Sequence, residues 1–276
     1  MKNTSNMFNK IFTQNESEIW DKFLKFQSEI FVKEEIELLK KFGFSEKLSP
    51  VLDLGCGTGH FSFDLNKHFN NMSFVCADVN ETFLSILDKR LINDKLDNIK
   101  TIKYSAGHEK VPALINKCKT VIMRMFLQHT LDPLKVLSDL RHELKQGTDI
   151  FIIEDDLSFY DIDPPLKAFN RFVEIVDEYC TGFASNVYIG KSIPRLANKA
   201  GLKVINTEML IHNNIKYGSD RLMDFFRLSL MLLAKTSSVV DEEEALKLIE
   251  KFDEFVIKNK EACFFFHAFV VTHARV

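Results

Sequence analysis

The stretch that most constrains this chain is Val51-Leu52-Asp53-Leu54-Gly55-Cys56-Gly57-Thr58-Gly59. An apolar run carrying one acid leads into three glycines at alternate positions, and helix-compatible sequence follows from His60. A buried strand, a tight turn and a helix N-terminus account for that order, because glycine alone tolerates positive φ freely and carries no Cβ. Such a turn lets a ligand lie against backbone and offers it unpaired N–H groups. Phe74-Val75-Cys76-Ala77 reads as the next strand and ends in Asp78, nineteen residues after Gly59. A carboxylate at the tip of a second parallel strand can accept both hydroxyls of a ribose.

The glycine spacing is G-x-G-x-G, not the G-x-G-x-x-G of dinucleotide sites. As a block, Asp53-Leu54-Gly55-Cys56-Gly57-Thr58-Gly59 resembles motif I of the class I S-adenosylmethionine (AdoMet)-dependent methyltransferases. The resemblance covers about residues 45–276 and is strongest at 51–79 and 119–156. It implies an α/β fold: a Rossmann-like, doubly wound, seven-stranded sheet of order 3-2-1-4-5-7-6, the last strand antiparallel, with helical insertions forming a lid. It also implies AdoMet as cofactor. Carried onto this chain, Asp53, Gly55, Cys56, Gly57 and Gly59 line the methionine end, and Asp78 holds the ribose. Val79 and Ala106 flank the adenine, and Arg124 lies across the cofactor edge. Ser105 stands where the family often has an acid, so the adenine contact there would rest on a hydroxyl and the Ala106 backbone.

Taken in order, Thr13-Gln14-Asn15-Glu16 has capping-box spacing and opens a helical segment to about Phe42, with Gly43 as its stop. Residues 1–45 are expected to form a helical segment over the cofactor site, with Trp20 as a core or capping residue. Residues 46–276 are expected to form the main domain, with helical insertions at about 157–188 and 215–262. Further strands are expected at Ile99–Tyr104, Thr120–Arg124, Asp149–Ile153, Lys203–Ile211 and Cys263–Thr272. Asp132-Pro133 is a good helix start, with proline in the first turn. The segment 222–233 is apolar nearly all round, where a surface helix would show a stripe. It must be buried under a lid, in a cavity wall or at a homodimer interface.

Methyl transfer from an activated donor needs alignment and, for a protonated acceptor, one base. His129, just past the fourth strand, is the candidate base, and Asp155, past the fifth, is a candidate to orient the acceptor; Asp156 is the alternative. His108, Tyr160 and Tyr188 are lesser candidates, and His267 and His273 read as structural. Asp163-Pro164-Pro165-Leu166 lacks the aromatic residue and the position of the nucleic-acid amino-methyltransferase motif. No H-x-x-x-H or H-E-x-x-H spacing supports a metal site. A net charge of −3 gives no footprint for nucleic acid or an anionic membrane, and no apolar run approaches membrane-spanning length. Five scattered cysteines without a C-x-x-C pair suit a reducing, cytoplasmic setting. The expected acceptor is a small molecule, methylated on O, N or C. A protein or nucleic-acid acceptor, a non-catalytic AdoMet- or nucleotide-binding protein, and an NAD-binding oxidoreductase remain as alternatives.

Overall fold

A computed structural model describes residues 15–69, 71–259 and 262–276. Thr13 and Gln14 of the expected capping box therefore lie outside the described residues. Asn15 itself caps the first helix, its Oδ1 accepting from Glu18 N at 3.0 Å. Helix α1 (Glu16–Lys41) stops before Gly43, whose φ of +97° ends the helical path.

From there strand and helix alternate: β1 (Val51–Leu54), α2 (His60–His68), β2 (Phe74–Asp78), α3 (Glu81–Asp94), β3 (Ile99–Lys103), β4 (Thr120–Arg124), α4 (Pro133–Glu143) and β5 (Asp149–Asp155). Short β6 (Asp161–Asp163) precedes α5 (Lys167–Gly182) and α6 (Ile193–Lys199). The chain then runs through β7 (Lys203–Asn213), α7 (Asn214–Tyr217), α8 (Ser219–Thr236), α9 (Glu242–Asn259) and β8 (Phe264–Arg275).

The strands are ordered β3-β2-β1-β4-β5-β8-β6, with β7 pairing β8. The first five pair in parallel, and β8 runs antiparallel to β5, Phe151 opposite His273. That is the expected seven-strand order with one addition. Asp161–Asp163 forms an eighth strand against Phe264–Phe266, within the stretch expected as the helical insertion at about 157–188. Pro164 cannot donate to a ladder, which keeps the strand to three residues.

By contact density the chain divides into two units. The sheet unit holds Phe31–Asp156, Ala184–Leu210 and Phe269–Val276. One face of its sheet packs Leu52, Val75, Val121, Met123, Ile150 and Ile152 against Val136, Leu137 and Leu140 of α4 and Ile193 and Ala197 of α6. Strands covered on both faces read as continuous apolar runs, which is why β1, β4 and β5 stand out in the sequence. On the other face aromatic rings meet: Phe44 lies edge-on to Phe69 at 5.1 Å and to Phe151 at 5.5 Å, and His273 stacks on Phe151 at 4.5 Å.

The helical unit holds the described residues up to Ile30, Leu157–Phe183 and Ile211–Ala268. Its core is built on phenylalanine. The Phe226 ring meets Phe169 at 5.2 Å, Phe172 at 5.3 Å and Phe265 at 6.3 Å. Helix α8, the segment apolar all round, is buried by α5 and α9 of this same unit. Arg227 within it is also buried, and its guanidinium bonds Asp224 at 2.7 Å and Asp253 of α9. A buried arginine is tolerable only when paired in this way.

Candidate functional site

The carboxyl ends of β1, β2, β4 and β5 belong to the sheet unit, and the polar groups there form two neighbourhoods. In the first, the turn after β1 is made by Gly55, Gly57 and Gly59 at φ +79°, +55° and +81°, conformations that glycine adopts without strain and side chains disfavour. Asp78 pins this turn. Its Oδ2 accepts from Gly57 N at 2.8 Å, and its Oδ1 accepts from Asn80 N at 2.8 Å. Burial raises its carboxyl above the ordinary range, and the backbone donors at Asn80, Gly57 and Val79 oppose the rise. Val79, next in the chain, is 58% exposed although apolar. Asn80 caps α3, accepting from Thr82 N at 3.0 Å.

Asp53 is buried at the end of β1, and its Oδ2 accepts from Ser62 Oγ of α2 at 2.6 Å. Burial pushes its pKa up to about 6, opposed by Ser62 and Arg124. The Cys56 thiol is pushed up by burial, then by Cys76 beside it. Thr58 is wholly buried, and its Oγ1 has no hydrogen-bond partner among the described residues.

The glycines have a second reason for being glycines. A Cβ on Gly55 would stand 2.2 Å from the Phe126 ring, and one on Gly59 would stand 2.5 Å from Leu87. The space freed by the missing side chains is filled from within the protein at these two positions. After β3, Ser105 and Ala106 are half-buried in a turn closed by Glu109, whose Oε2 accepts from Ser105 N at 3.1 Å.

The second neighbourhood lies past β4 and β5. Arg124 is committed to Glu35 of α1, its Nε reaching the two carboxylate oxygens at 3.0 and 2.9 Å. Both side chains are buried, and the guanidinium also lies 5.1 Å from the Phe61 ring centroid. Burial raises the Glu35 carboxyl, and the arginine opposes the rise. Beyond Arg124 the chain turns sharply at Met125, with φ of +50°, and Phe126 N and Leu127 N donate to Glu154. His129 is exposed. Its ring nitrogens meet Ser185 Oγ at 3.3 Å and Gln128 Nε2 at 3.2 Å, and the protein mass around it favours the neutral ring. Asp155 Oδ1 accepts from Asp156 N at 2.8 Å, and buried Asp156 accepts from Lys191 N at 3.0 Å.

His108 lies exposed in the turn after β3, while Tyr160, Trp20 and His267 belong to the helical unit. His273 is held by Asp149 at 2.7 Å. Reading the sequence missed Glu35, Glu154, Phe126 and Ser62. Two of these left a trace. Glu35 falls one turn from Phe31 and Leu39 on the buried side of α1, and Glu154 continues the inward period of Ile150 and Ile152.

Comparison with known proteins identifies the domain around the glycine turn. Residues 52–150 match the model of a methyltransferase domain. Residues 52–150 thus form a methyltransferase domain. The domain is similar to a tRNA (guanine-N(7)-)-methyltransferase of Clostridium novyi, at 24% identity over 42% of this chain and 58% of that protein. It is also similar to a tRNA U34 carboxymethyltransferase of Campylobacter fetus, at 29% identity over 48% of this chain and 42% of that protein. The chain thus spans about half the length of the curated relatives it matches. Among solved structures, a putative methyltransferase from Bacillus halodurans superposes with a TM-score of 0.59, at 15% identity over 88% of this chain and 98% of that one. The phosphoethanolamine N-methyltransferase 2 of Haemonchus contortus, in complex with S-adenosyl-L-methionine, superposes at 0.57, with 17% identity over 93% and 57%. At these identities the methyltransferase-domain structures establish the shared fold.

Proposed function

We propose that the protein binds AdoMet at the glycine turn of the methyltransferase domain and transfers its methyl group to a small-molecule acceptor. The observation that carries this reading is the turn itself, three positive-φ glycines pinned by Asp78 through Gly57 N. Two further features fit the cofactor. Thr58 Oγ1 is a buried polar atom awaiting a partner among the described residues, and Val79 exposes an apolar side chain beside Asp78, where a purine would cover it. When bound, AdoMet supplies a methyl group already activated on a sulfonium.

The chain's own groups then have four tasks. Asp78 accepts the ribose hydroxyls while keeping the turn closed. Asp53, Gly55, Cys56, Gly57 and Gly59 form the wall of the methionine end. Val79, Ser105 and Ala106 border the adenine, the Ser105 position being stiffened by Glu109. His129, neutral and exposed, takes the acceptor's proton, and Asp155 orients the acceptor. Arg124 serves the cofactor edge indirectly, as the buried partner of Glu35.

Titration calorimetry with AdoMet, S-adenosylhomocysteine and NAD tests the cofactor; NAD binding with AdoMet silent would end the proposal. His129→Ala should lower turnover by about 10²–10⁴-fold with AdoMet affinity kept. Unchanged turnover returns His129 to a structural role. The tRNA-modifying relatives favour one second reading, a tRNA acceptor. Saturable, salt-sensitive tRNA binding would favour it over the small molecule.

A further inference from the structure

Glu154 is the acid that the proposed chemistry leaves unused. It continues the face of β5 on which Ile150 and Ile152 stand, and like them it has no exposed surface. Its Oε1 accepts two backbone donors at once, Phe126 N at 2.9 Å and Leu127 N at 2.6 Å. Its Oε2 is buried and has no hydrogen-bond partner among the described residues. Burial drives the carboxyl up to about 8, the backbone donors oppose this, and Asp155 adds a smaller push upward. Opposite it on β8 stands the apolar Val270.

A carboxyl in that position is costly to the fold. A glutamine would accept the same two donors without burying a charge. What distinguishes the acid is that its grip changes with its proton: a carboxylate accepts N–H bonds about twice as strongly as a neutral group. The gripped segment matters for the cofactor. It begins at Met125, in a conformation unusual for a residue with a side chain, and it holds the Phe126 ring in the space that Gly55 leaves open. A direct chain of contacts thus runs from Glu154 through Phe126 to the first glycine of the turn. The same segment ends at His129.

We propose that Glu154 is a positioning residue, a clamp that sets the turn after β4 and, through Phe126, the glycine turn that receives the cofactor. The proposal rests on the reading that this turn binds AdoMet. Deprotonation tightens the clamp, so AdoMet affinity rises with pH as the carboxyl ionises.

The test is calorimetric titration of AdoMet into the wild type and Glu154→Gln from about pH 6.5 to about 9.5, a span that brackets the ionisation. Amide-exchange protection at Phe126 and Leu127 is measured alongside. The wild type should gain affinity and protection across this range. Glu154→Gln should show neither gain and should bind about tenfold more weakly at the alkaline end. It should unfold at the same or a higher temperature there, which separates lost positioning from lost folding. Affinity within twofold of wild type throughout, with protection unchanged, would overturn the clamp. Wild-type protein that never binds AdoMet would instead remove the functional reading, and the protection measurement, which needs no ligand, would still decide whether Glu154 holds the turn.

Discussion

The two polar neighbourhoods of the sheet unit handle their carboxylates in opposite ways. Past β1 and β2, Asp78 meets backbone donors with both oxygens, and its partners lie within the turn and the residues beside it in sequence. Past β4 and β5, Arg124 depends on Glu35, 89 residues away, and Glu154 reaches 28 residues back to hold Phe126. The first neighbourhood is a local device in that β1, its turn, α2 and β2 follow one another in the chain, Asp78 reaching 21 residues back to Gly57. The second exists only once α1, β4 and β5 are assembled. Local devices tolerate damage to the rest of the fold, whereas assembled ones transmit it. That difference sets the expected sizes of the effects of mutation.

The largest effect is expected at the assembled end. Arg124→Met strands the Glu35 carboxyl in the interior, and breaking a buried pair from one side costs about 3–5 kcal/mol. Denaturant unfolding should show that loss. Arg124→Met combined with Glu35→Leu should recover most of it, because no buried charge then remains. A single mutant within about 1 kcal/mol of wild type would mean that the pair does not hold α1 to the sheet end, and the contrast between the neighbourhoods would weaken.

Asp78→Ala comes next, and its damage should be confined. Losing two charge-assisted bonds to the turn, together with the proposed ribose contact, should weaken AdoMet binding by about 100-fold. Global stability should change far less than in Arg124→Met, since the turn is short and no buried charge is left without its partner. Unchanged AdoMet affinity by calorimetry would remove Asp78 from the ribose role. A collapse of the whole fold would show that the turn is not the local device described above.

This division also explains what could be read from the sequence. The five parallel strands, the glycine turn, Asp78 and the capped start at Asp132-Pro133 are written in contiguous residues, and Asp132 does accept from Lys135 N at 2.9 Å. The eighth strand was not legible, because Asp161-Ile162-Asp163 has only one apolar residue and takes its conformation from Phe264–Phe266. Helix α8 was legible as buried but not in its surroundings, since its cover comes from α5 and α9, which precede and follow it in the chain. Arg124 was legible as pointing to the site, yet its partner was not, because nothing near Arg124 in sequence names Glu35. The glycine spacing predicts room for a ligand. At Gly55 and Gly59 that room holds Phe126 and Leu87, a packing fact with no local signal.

The smallest effect belongs to Ser62, and it tests whether the first neighbourhood is as self-contained as it looks. The Asp53 carboxyl is raised from 3.8 to about 6 by burial, with Ser62 Oγ as the first group opposing the rise. A folded-state pKa above the unfolded value means that the folded protein binds the proton more tightly. The stability this carboxyl contributes is therefore present at acid pH and is lost as pH rises through about 6. Ser62→Ala removes a bond that favours the charged form, so it should raise the Asp53 pKa further and deepen that alkaline loss. Expected costs are about 1 kcal/mol where Asp53 is protonated and about 2 kcal/mol where it is ionised. Unfolding free energies measured on either side of the transition check the sign. A larger cost at acid pH than at neutral pH would mean that the hydroxyl serves the protonated carboxyl, and Asp53 would then meet the methionine end of the site as a donor, not as an acceptor.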